Sequence, residues 1–261
     1  MESGWIALIV LVGACVFSWL WSLLTAPRFS VHGKHVLFTG TETPLGLAVA
    51  KKYVKKGANV TLIGPAMEIL EATQSELQKS KRLTPRATDH VVYAASRRIK
   101  PGYFWEQDVA SMKEAMDVNY LGAVAALPAM IKAKTRGRIV FVSSVDSLEF
   151  PVGCGACSGS KSAIRGLADS SRNELLQYNM SVAAIPHSQI KVWQQRNREV
   201  DKQAQVVVID GLWLGQYSIT TTWNGFLLRM LSNGVEPRNN NFLECIFPLL
   251  CRMHRLVLAH V

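Results

Sequence analysis

Three residues of types that perform catalysis stand at fixed spacings in the middle of the chain. Cys157 and Lys161 are four residues apart, which places both side chains on one face of a helix. A thiol close to an ammonium group ionises more readily, so this pair is suited to acid–base chemistry. Ser144 ends the apolar stretch GRIVFVSS, thirteen residues before Cys157. A strand-end serine and a surface lysine would give the same pattern without any chemistry.

The sequence Cys154-Gly-Ala-Cys157 offers a second interpretation, as a redox pair or as half of a zinc site. A zinc site needs a second such pair or two closely spaced histidines, and the sequence contains neither. Five cysteines in 261 residues are also too few for a small protein held together by disulfides. We therefore expect no metal site.

A glycine-bearing turn follows the first apolar stretch, in the sequence TGTETPLG at 39–46. A strand that leads through such a turn into the N-terminus of a helix is the arrangement in which a Rossmann fold holds a pyrophosphate. Taken alone, a glycine at this position is more often just a turn residue. The turn becomes informative only together with the other motifs.

Apolar runs alternate with helical patterns along the chain, and these elements must position the candidate residues. The predicted strands are 31–40, 58–64, 89–96, 137–144 and 180–186. The predicted helices are 45–57, 67–82, 108–134 and 157–178. Alternation of this kind indicates βαβ units and an α/β fold with a Rossmann-like, doubly wound parallel sheet.

The N-terminal segment 5–24 contains twenty residues without a charge, which as a helix spans a hydrocarbon layer of about 30 Å. A secretory signal peptide is the alternative, but it would begin with a basic region and carry a shorter apolar run. Glu2 is the only charged residue before the segment, whereas Arg28 and Lys34 follow it. The positive-inside rule therefore predicts a membrane anchor at 1–27 and a cytosolic location for the rest.

A globular domain is expected at 28–204, followed by an apolar C-terminal part at 205–261. The last segment, 241–261, is interrupted by Glu244, Pro248, Arg252 and Arg255. This pattern suits a helix that lies in the membrane interface better than one that spans the bilayer, and a buried core helix is the alternative. The net charge of +10 fits an anionic membrane surface, and the sequence contains no nucleic-acid-binding motif.

Longer strings around these residues resemble the short-chain dehydrogenase/reductase family. That family has an asparagine in a long helix and a serine thirteen residues before a Tyr-x-x-x-Lys motif. Here Asn119 occupies the helix position in NYLGAV, Ser144 ends GRIVFVSS, and Lys161 lies in SKSAIRGLA. These strings are similar to the branch of the family that reduces 3-ketodihydrosphingosine to dihydrosphingosine in sphingolipid synthesis.

The resemblance implies a catalytic set, which consists of Ser144, Cys157, Lys161 and Asn119. In the family a tyrosine beside the lysine donates a proton to the substrate carbonyl as hydride arrives, the serine binds the same oxygen, and the asparagine holds a water. Cys157 stands at the position of that tyrosine, and its side chain is much shorter than a phenol. The alternative function is therefore a catalytically inactive, membrane-bound binding or regulatory protein.

The resemblance also implies an NADPH site, formed by Gly40, Thr41, Thr43, Gly46 and Lys161. The sequence departs from the family in this site. Pro44 replaces the second glycine of the turn, Glu42 brings a carboxylate near the phosphates, and Gly64-Pro65 offers no charged partner for the ribose. Between the second strand and the next there are 25 residues, at 65–89, which is too few for a further strand and helix. We expect the sheet to lack one edge strand–helix unit.

The same resemblance implies the partners and the location of the protein. We expect a long-chain ketone lipid as substrate and a homodimer formed through the long helices. The expected location is the endoplasmic reticulum membrane, with the catalytic domain facing the cytosol.

Overall fold

The computed structural model describes residues 29–77, 88–97, 99–132, 136–149, 152–187, 207–208, 210–221 and 223–231. It also describes positions 5, 10, 13, 14, 16, 17, 20, 21 and 24, all of them helical. Among these residues no helix is both long and apolar enough to cross a bilayer. Most of the predicted anchor at 5–24, and the whole of the tail at 241–261, lie outside the described residues.

The elements agree closely with the predicted ones. The strands are β1 (His35–Thr39), β2 (Asn59–Ile63), β3 (His90–Tyr93), β4 (Arg138–Ser144) and β5 (Ser181–His187). The helices that the structure describes are α1 (Pro44–Lys55), α2 (Met67–Leu77), α3 (Val109–Met116), α4 (Gly122–Lys132), α5 (Asp146–Glu149), α6 (Gly155–Glu174) and α7 (Trp223–Leu231). Turns of 3₁₀ helix lie at Phe104–Glu106 and Leu175–Tyr178.

The five strands form one parallel sheet in the order β2-β1-β3-β4-β5. Parallel strands joined by helices in this order form a Rossmann-like sheet, so the predicted fold class is confirmed. Within the described residues β2 lies at one edge of the sheet.

Both faces of the sheet are covered, which is why its strands read as continuous apolar runs. All seven residues of β4 are buried. On one face Val140 and Val142 belong to a core that includes α1 residues, and on the other Ile139 and Phe141 belong to a core that includes α4 and α6 residues. Alternate residues of a strand therefore point to different helix layers.

The predicted long helix at 108–134 is interrupted by a π-turn. Asp108 caps α3, since its carboxylate accepts the Ser111 N–H at 3.1 Å. The π-turn, Asp117–Leu121, joins α3 to α4, and it contains the fully buried Asn119. Such turns often occur at functional sites, because the extra residue redirects a side chain.

An extended segment at 217–219 runs beside β5. The Ala184 N–H donates to the Tyr217 carbonyl at 2.6 Å, and the Ala184 carbonyl accepts the Ile219 N–H at 3.0 Å. In a parallel ladder the N–H and the C=O group of one residue point to the same side of its strand. The segment therefore covers the edge of β5 that faces away from β4.

A buried basic cluster lies at the amino ends of the strands, far from the predicted site. Arg138 is 1% exposed and donates hydrogen bonds to the carbonyls of Leu212 and Gln216. His90 is equally buried and contacts the Phe29 ring edge-on, with the ring centroids 4.6 Å apart. Burial, together with repulsion from Arg138, lowers the pKa of His90 to about 4.

This cluster predicts that acid destabilises the fold between about pH 6.5 and pH 4. The pKa of His90 rises from about 4 to its ordinary 6.5 on unfolding, so the unfolded chain binds the proton first as the pH falls. We expect the free energy of unfolding to fall by about 3 kcal/mol through this window. Denaturant titration of the detergent-solubilised chain at a series of pH values measures the change.

His90→Phe should remove most of this dependence, because phenylalanine has no group that ionises. His32→Phe is the matched control, since His32 is exposed, and it should keep the dependence of the original chain. An unchanged pH profile in the His90→Phe chain would show that another group is responsible.

Candidate active site

The carboxyl ends of the strands meet at one edge of the sheet, and the predicted site residues lie there. Gly40 follows β1, Ser144 ends β4, and α6 begins after the connection from β4. In open parallel α/β sheets ligands bind at this edge, where the strand order reverses. Here the reversal falls between β1 and β3.

The end of β4 is fastened to α6 by hydrogen bonds. Ser143 Oγ donates to the main-chain carbonyl of Lys161 at 3.0 Å, and Ser147 Oγ donates to the carbonyl of Ser144 at 2.6 Å. Ser144 and Lys161 are 1% and 2% exposed. The strand end that carries Ser144 therefore lies against the helical turn that carries Lys161.

The Asn119 side chain joins three segments of the chain. Its Oδ1 accepts the Arg97 N–H at 2.7 Å, and its Nδ2 donates to the Arg97 carbonyl at 3.2 Å and to Ser160 Oγ at 2.9 Å. Ser160 Oγ donates in turn to the Cys157 carbonyl at 2.9 Å. Because both amide hydrogens have protein acceptors, this side chain holds the site together and has no hydrogen left to donate to a water.

Cys157 lies in the first turn of α6, one turn before Lys161, as the spacing predicted. The helix begins after Cys154, whose carbonyl accepts the Ser158 N–H at 2.7 Å. Both thiols are half-buried. In the part of the chain that the structure describes, no three metal-ligating side chains come together.

Tyr93 contributes to the site although the sequence analysis did not select it. Its hydroxyl donates to the Val118 carbonyl in the π-turn. A Cβ atom on Gly122 would lie 2.3 Å from the Tyr93 hydroxyl oxygen, so the contact requires glycine there. Burial raises the pKa of Tyr93 to about 12, and the nearby Glu42 carboxylate adds to the shift. The hydroxyl therefore stays protonated and holds the π-turn against the sheet.

The turn after β1 has the close packing that a phosphate-binding turn requires. Gly40 has φ +79°, and a Cβ atom there would lie 2.1 Å from the main chain at Ala94 and Ala95. A Cβ atom on Gly46 would lie 2.2 Å from the Gly40 carbonyl oxygen. Both predicted glycines are therefore required by the shape of the turn.

The two threonines of this turn have different surroundings. Thr43 Oγ1 donates to the Gly40 carbonyl at 2.7 Å and accepts the Gly46 N–H at 3.1 Å, so it acts as the N-cap of α1. Thr41 is 2% exposed, and its hydroxyl has no hydrogen-bond partner among the described residues. A buried hydroxyl without a partner is suited to a ligand oxygen.

A dinucleotide phosphate fits this turn. Thr41 offers its hydroxyl, and the amino end of α1 offers the positive end of a helix dipole. Pro44 occupies the first position of α1 and removes one N–H donor, and Glu42 is exposed beside the turn. The turn would therefore hold a phosphate with one donor fewer and with one repulsive charge.

Comparison with known proteins adds to this geometry. A profile of the short chain dehydrogenase family matches residues 86–203. The "PIGF/3-ketodihydrosphingosine reductase fusion protein" of Schizosaccharomyces pombe is 29% identical over 85% of this chain, which spans 54% of that protein. The 3-dehydrosphinganine reductase of Danio rerio is 27% identical over 82% of this chain and 79% of its own length. The 3-ketodihydrosphingosine reductase of Mus musculus is 26% identical over 87% of this chain and 83% of its own length.

Solved structures share the fold. A short-chain type dehydrogenase/reductase from Mycobacterium ulcerans superposes with a TM-score of 0.64 at 18% identity, over 76% of this chain and 92% of that one. A 3-oxoacyl-[acyl-carrier protein] reductase from Brucella melitensis, with bound NAD, gives a TM-score of 0.60 at 22% identity. The superposition covers 75% of this chain and 92% of that one. The parallel sheet, the glycine turn, the Ser144 and Lys161 positions and these comparisons agree. The chain is similar in sequence and in fold to the short-chain dehydrogenase/reductase family.

Proposed function

We propose that this protein reduces 3-ketodihydrosphingosine, or a closely related long-chain ketone, with NADPH as the reductant. The observation that carries the proposal is the hydrogen bond from Ser143, the neighbour of Ser144 at the end of β4, to the Lys161 carbonyl in the α6 turn that begins at Cys157. Asn119 supports that turn from the other side. The substrate class follows the printed names of the relatives from Danio rerio and Mus musculus.

The protein residues have separate tasks in this reaction. A reduced nicotinamide, when bound, supplies the hydride that adds to the carbonyl carbon. Ser144 binds the carbonyl oxygen at the end of β4, where negative charge develops. The Lys161 ammonium stabilises that charge and binds the nicotinamide ribose, as the family resemblance implies. Asn119 positions the helical turn and does not touch the substrate.

Support for the cofactor comes from the turn after β1. Thr41 and the amino end of α1 fit a pyrophosphate, and the Brucella melitensis neighbour contains NAD. The choice of NADPH over NADH follows the resemblance to the ketone-reducing branch. Gly64-Pro65, after β2, supplies neither an acidic group for the ribose of NADH nor a basic group for the phosphate of NADPH.

The proposed location is the endoplasmic reticulum membrane, with the domain on the cytosolic side. Large apolar side chains on the described positions of the N-terminal segment are exposed, for example Trp5 at 67%, Phe17 at 66% and Leu24 at 78%. Exposed side chains of this kind suit contact with lipid. A membrane location would also place the protein beside a substrate that is itself a lipid.

A second candidate function is favoured by one observation, the thiol at position 157. Cys157 lies at the family's tyrosine position and its side chain ends close to the helix backbone. A chain without a proton donor would be a catalytically inactive relative that binds lipid or a protein partner.

We expect the detergent-solubilised full chain to convert 3-ketodihydrosphingosine to dihydrosphingosine when NADPH is present, measured by mass spectrometry. Cys157→Tyr should raise the rate by on the order of a hundredfold, because a phenol reaches the substrate oxygen. Gly166→Tyr is the control, since a side chain there meets open space on the same helix, and its rate should equal that of the original chain.

The outcomes of this assay distinguish the candidates. Turnover by the original chain supports the reductase. If the original chain forms no product and only the Cys157→Tyr chain does, the result supports the inactive relative. If neither chain forms product, the reductase proposal is contradicted.

Pro44→Gly is expected to tighten NADPH binding. The substitution returns an N–H donor to the first turn of α1, and one hydrogen bond to a charged phosphate contributes about 1.5–3 kcal/mol. The dissociation constant should fall by about 10–100-fold in calorimetry on the full chain. Pro101→Gly, in an exposed loop, is the control for a loss of proline and should leave the constant unchanged. Equal affinities for all three chains would show that Pro44 does not limit binding.

The location predicts the result of protease treatment. In sealed microsomes, added protease should digest the domain that follows residue 28, because basic residues follow the anchor and none precede it. Detergent-opened microsomes provide the control for protease activity. A domain that resists protease until detergent is added would place it in the lumen and overturn the topology.

A further inference from the structure

A row of three polar residues crosses the carboxyl edge of the sheet. In the register between β4 and β5, Ser144 is the partner of His187. The bridge between Ala184 and Ser218 is parallel, so three residues further on His187 lies beside Thr221. Neighbouring parallel strands lie about 4.8 Å apart, which places these side chains within contact distance.

The three side chains point to the same face of the sheet. Residues two apart on a strand share a face. Val142 and Ile185 belong to the core on the α1 side, and so does Ile219 in the segment beside β5. Val142 lies two positions before Ser144, and Ile185 lies two positions before His187. Ile219 lies two positions before Thr221. Ser144, His187 and Thr221 therefore share that side.

The imidazole of His187 is held on one side by Thr221. His187 is 7% exposed, and its Nδ1 lies 2.9 Å from Thr221 Oγ1. The two ring nitrogens of an imidazole point in diverging directions, so Nε2 is directed away from Thr221. The β4 strand lies on that other side of β5, and the Val145 N–H bonds to the His187 carbonyl at 3.1 Å. The Nε2 side of the ring thus faces the strand end that carries Ser144.

We infer that His187 is the proton donor to the substrate carbonyl and takes the role for which Cys157 is too short. The inference rests on the proposed function and deepens it. Histidine is the side chain that most often acts as a general acid, since imidazole exchanges protons near neutral pH. Ser144 binds the carbonyl oxygen, and His187, one strand over, donates to the same oxygen.

The proton and electron balance is complete. Hydride adds to the carbonyl carbon, the carbonyl π bond breaks, and its electron pair moves to the oxygen. An O–H bond forms as the N–H bond at His187 Nε2 breaks, so an imidazolium becomes a neutral imidazole. Solvent returns the proton to His187 after the alcohol leaves, and Thr221 holds the ring in place through Nδ1.

The sequence gives this histidine no recognisable motif. His187 follows Pro186 at the end of the last strand. Its partner in the row, Thr221, is 34 residues further along the chain. The pairing of β4 with β5 and the segment beside β5 are needed to bring the three residues together.

The test replaces the imidazole and then supplies it again. In the full chain with NADPH and 3-ketodihydrosphingosine, His187→Gly should lower kcat by about 10²–10⁴-fold, as loss of a general acid does. Added imidazole should restore part of the rate, because the glycine leaves a cavity of that shape. His32→Gly is the control, as His32 is exposed at the opposite end of the strands, and neither its rate nor its response to imidazole should differ from the original chain.

A second measurement needs no turnover. Infrared spectra of the bound ketone, labelled with carbon-13 at the carbonyl and without NADPH, should show a carbonyl stretch at lower frequency than in detergent micelles. His187→Gly should reverse a part of that downshift, since one donor to the oxygen is lost. His32→Gly should leave the shift unchanged.

The outcomes separate this inference from the proposed function. If the original chain turns over and His187→Gly matches it in both rate and infrared shift, the proton donor is another group and the inference is wrong, while the reductase stands. If the original chain gives no product, the proposed function fails, and the inference fails with it.

Discussion

The candidate site depends on the hydrogen bonds of one buried amide, that of Asn119. This side chain binds the main chain at Arg97 after β3 and the hydroxyl of Ser160 on α6, and it lies itself in the π-turn between α3 and α4. Three segments distant in sequence are thereby held at one point. Replacement of the amide by an apolar group would leave buried donors and acceptors without partners, each at a cost of about 1–3 kcal/mol.

The second constraint on the site is the register of the parallel sheet. Because every strand runs in the same direction, all the carboxyl ends and the loops that follow them meet at one edge. The glycine turn after β1 contacts the main chain after β3 so closely that Gly40 accepts no side chain. The same register places Ser144 beside His187. The glycine turn and the candidate reacting groups are thus positioned by the sheet rather than by the loops alone.

The two ends of the sheet have different properties. At the amino ends Arg138 and His90 are buried in a cluster that contributes stability, which is lost when His90 takes up a proton. At the carboxyl ends Ser144 lies beside His187, which contacts Thr221, and the same strand end lies against the α6 turn that carries Lys161.

The sequence alone determined the fold class and the order of the elements, because apolar periodicity and the glycine at the first turn are local signals. It also made Asn119, Ser144, Lys161 and the cysteine at 157 candidate site residues, through their spacing and the family resemblance. Only the tertiary structure decided which groups meet. Asn119 uses both amide hydrogens for support, Tyr93 holds the π-turn, and His187 lies between Thr221 and the strand of Ser144. These contacts join residues up to 43 positions apart in neighbouring strands. Strand pairing sets such contacts through the combined packing of all the elements, which no local pattern in the sequence records.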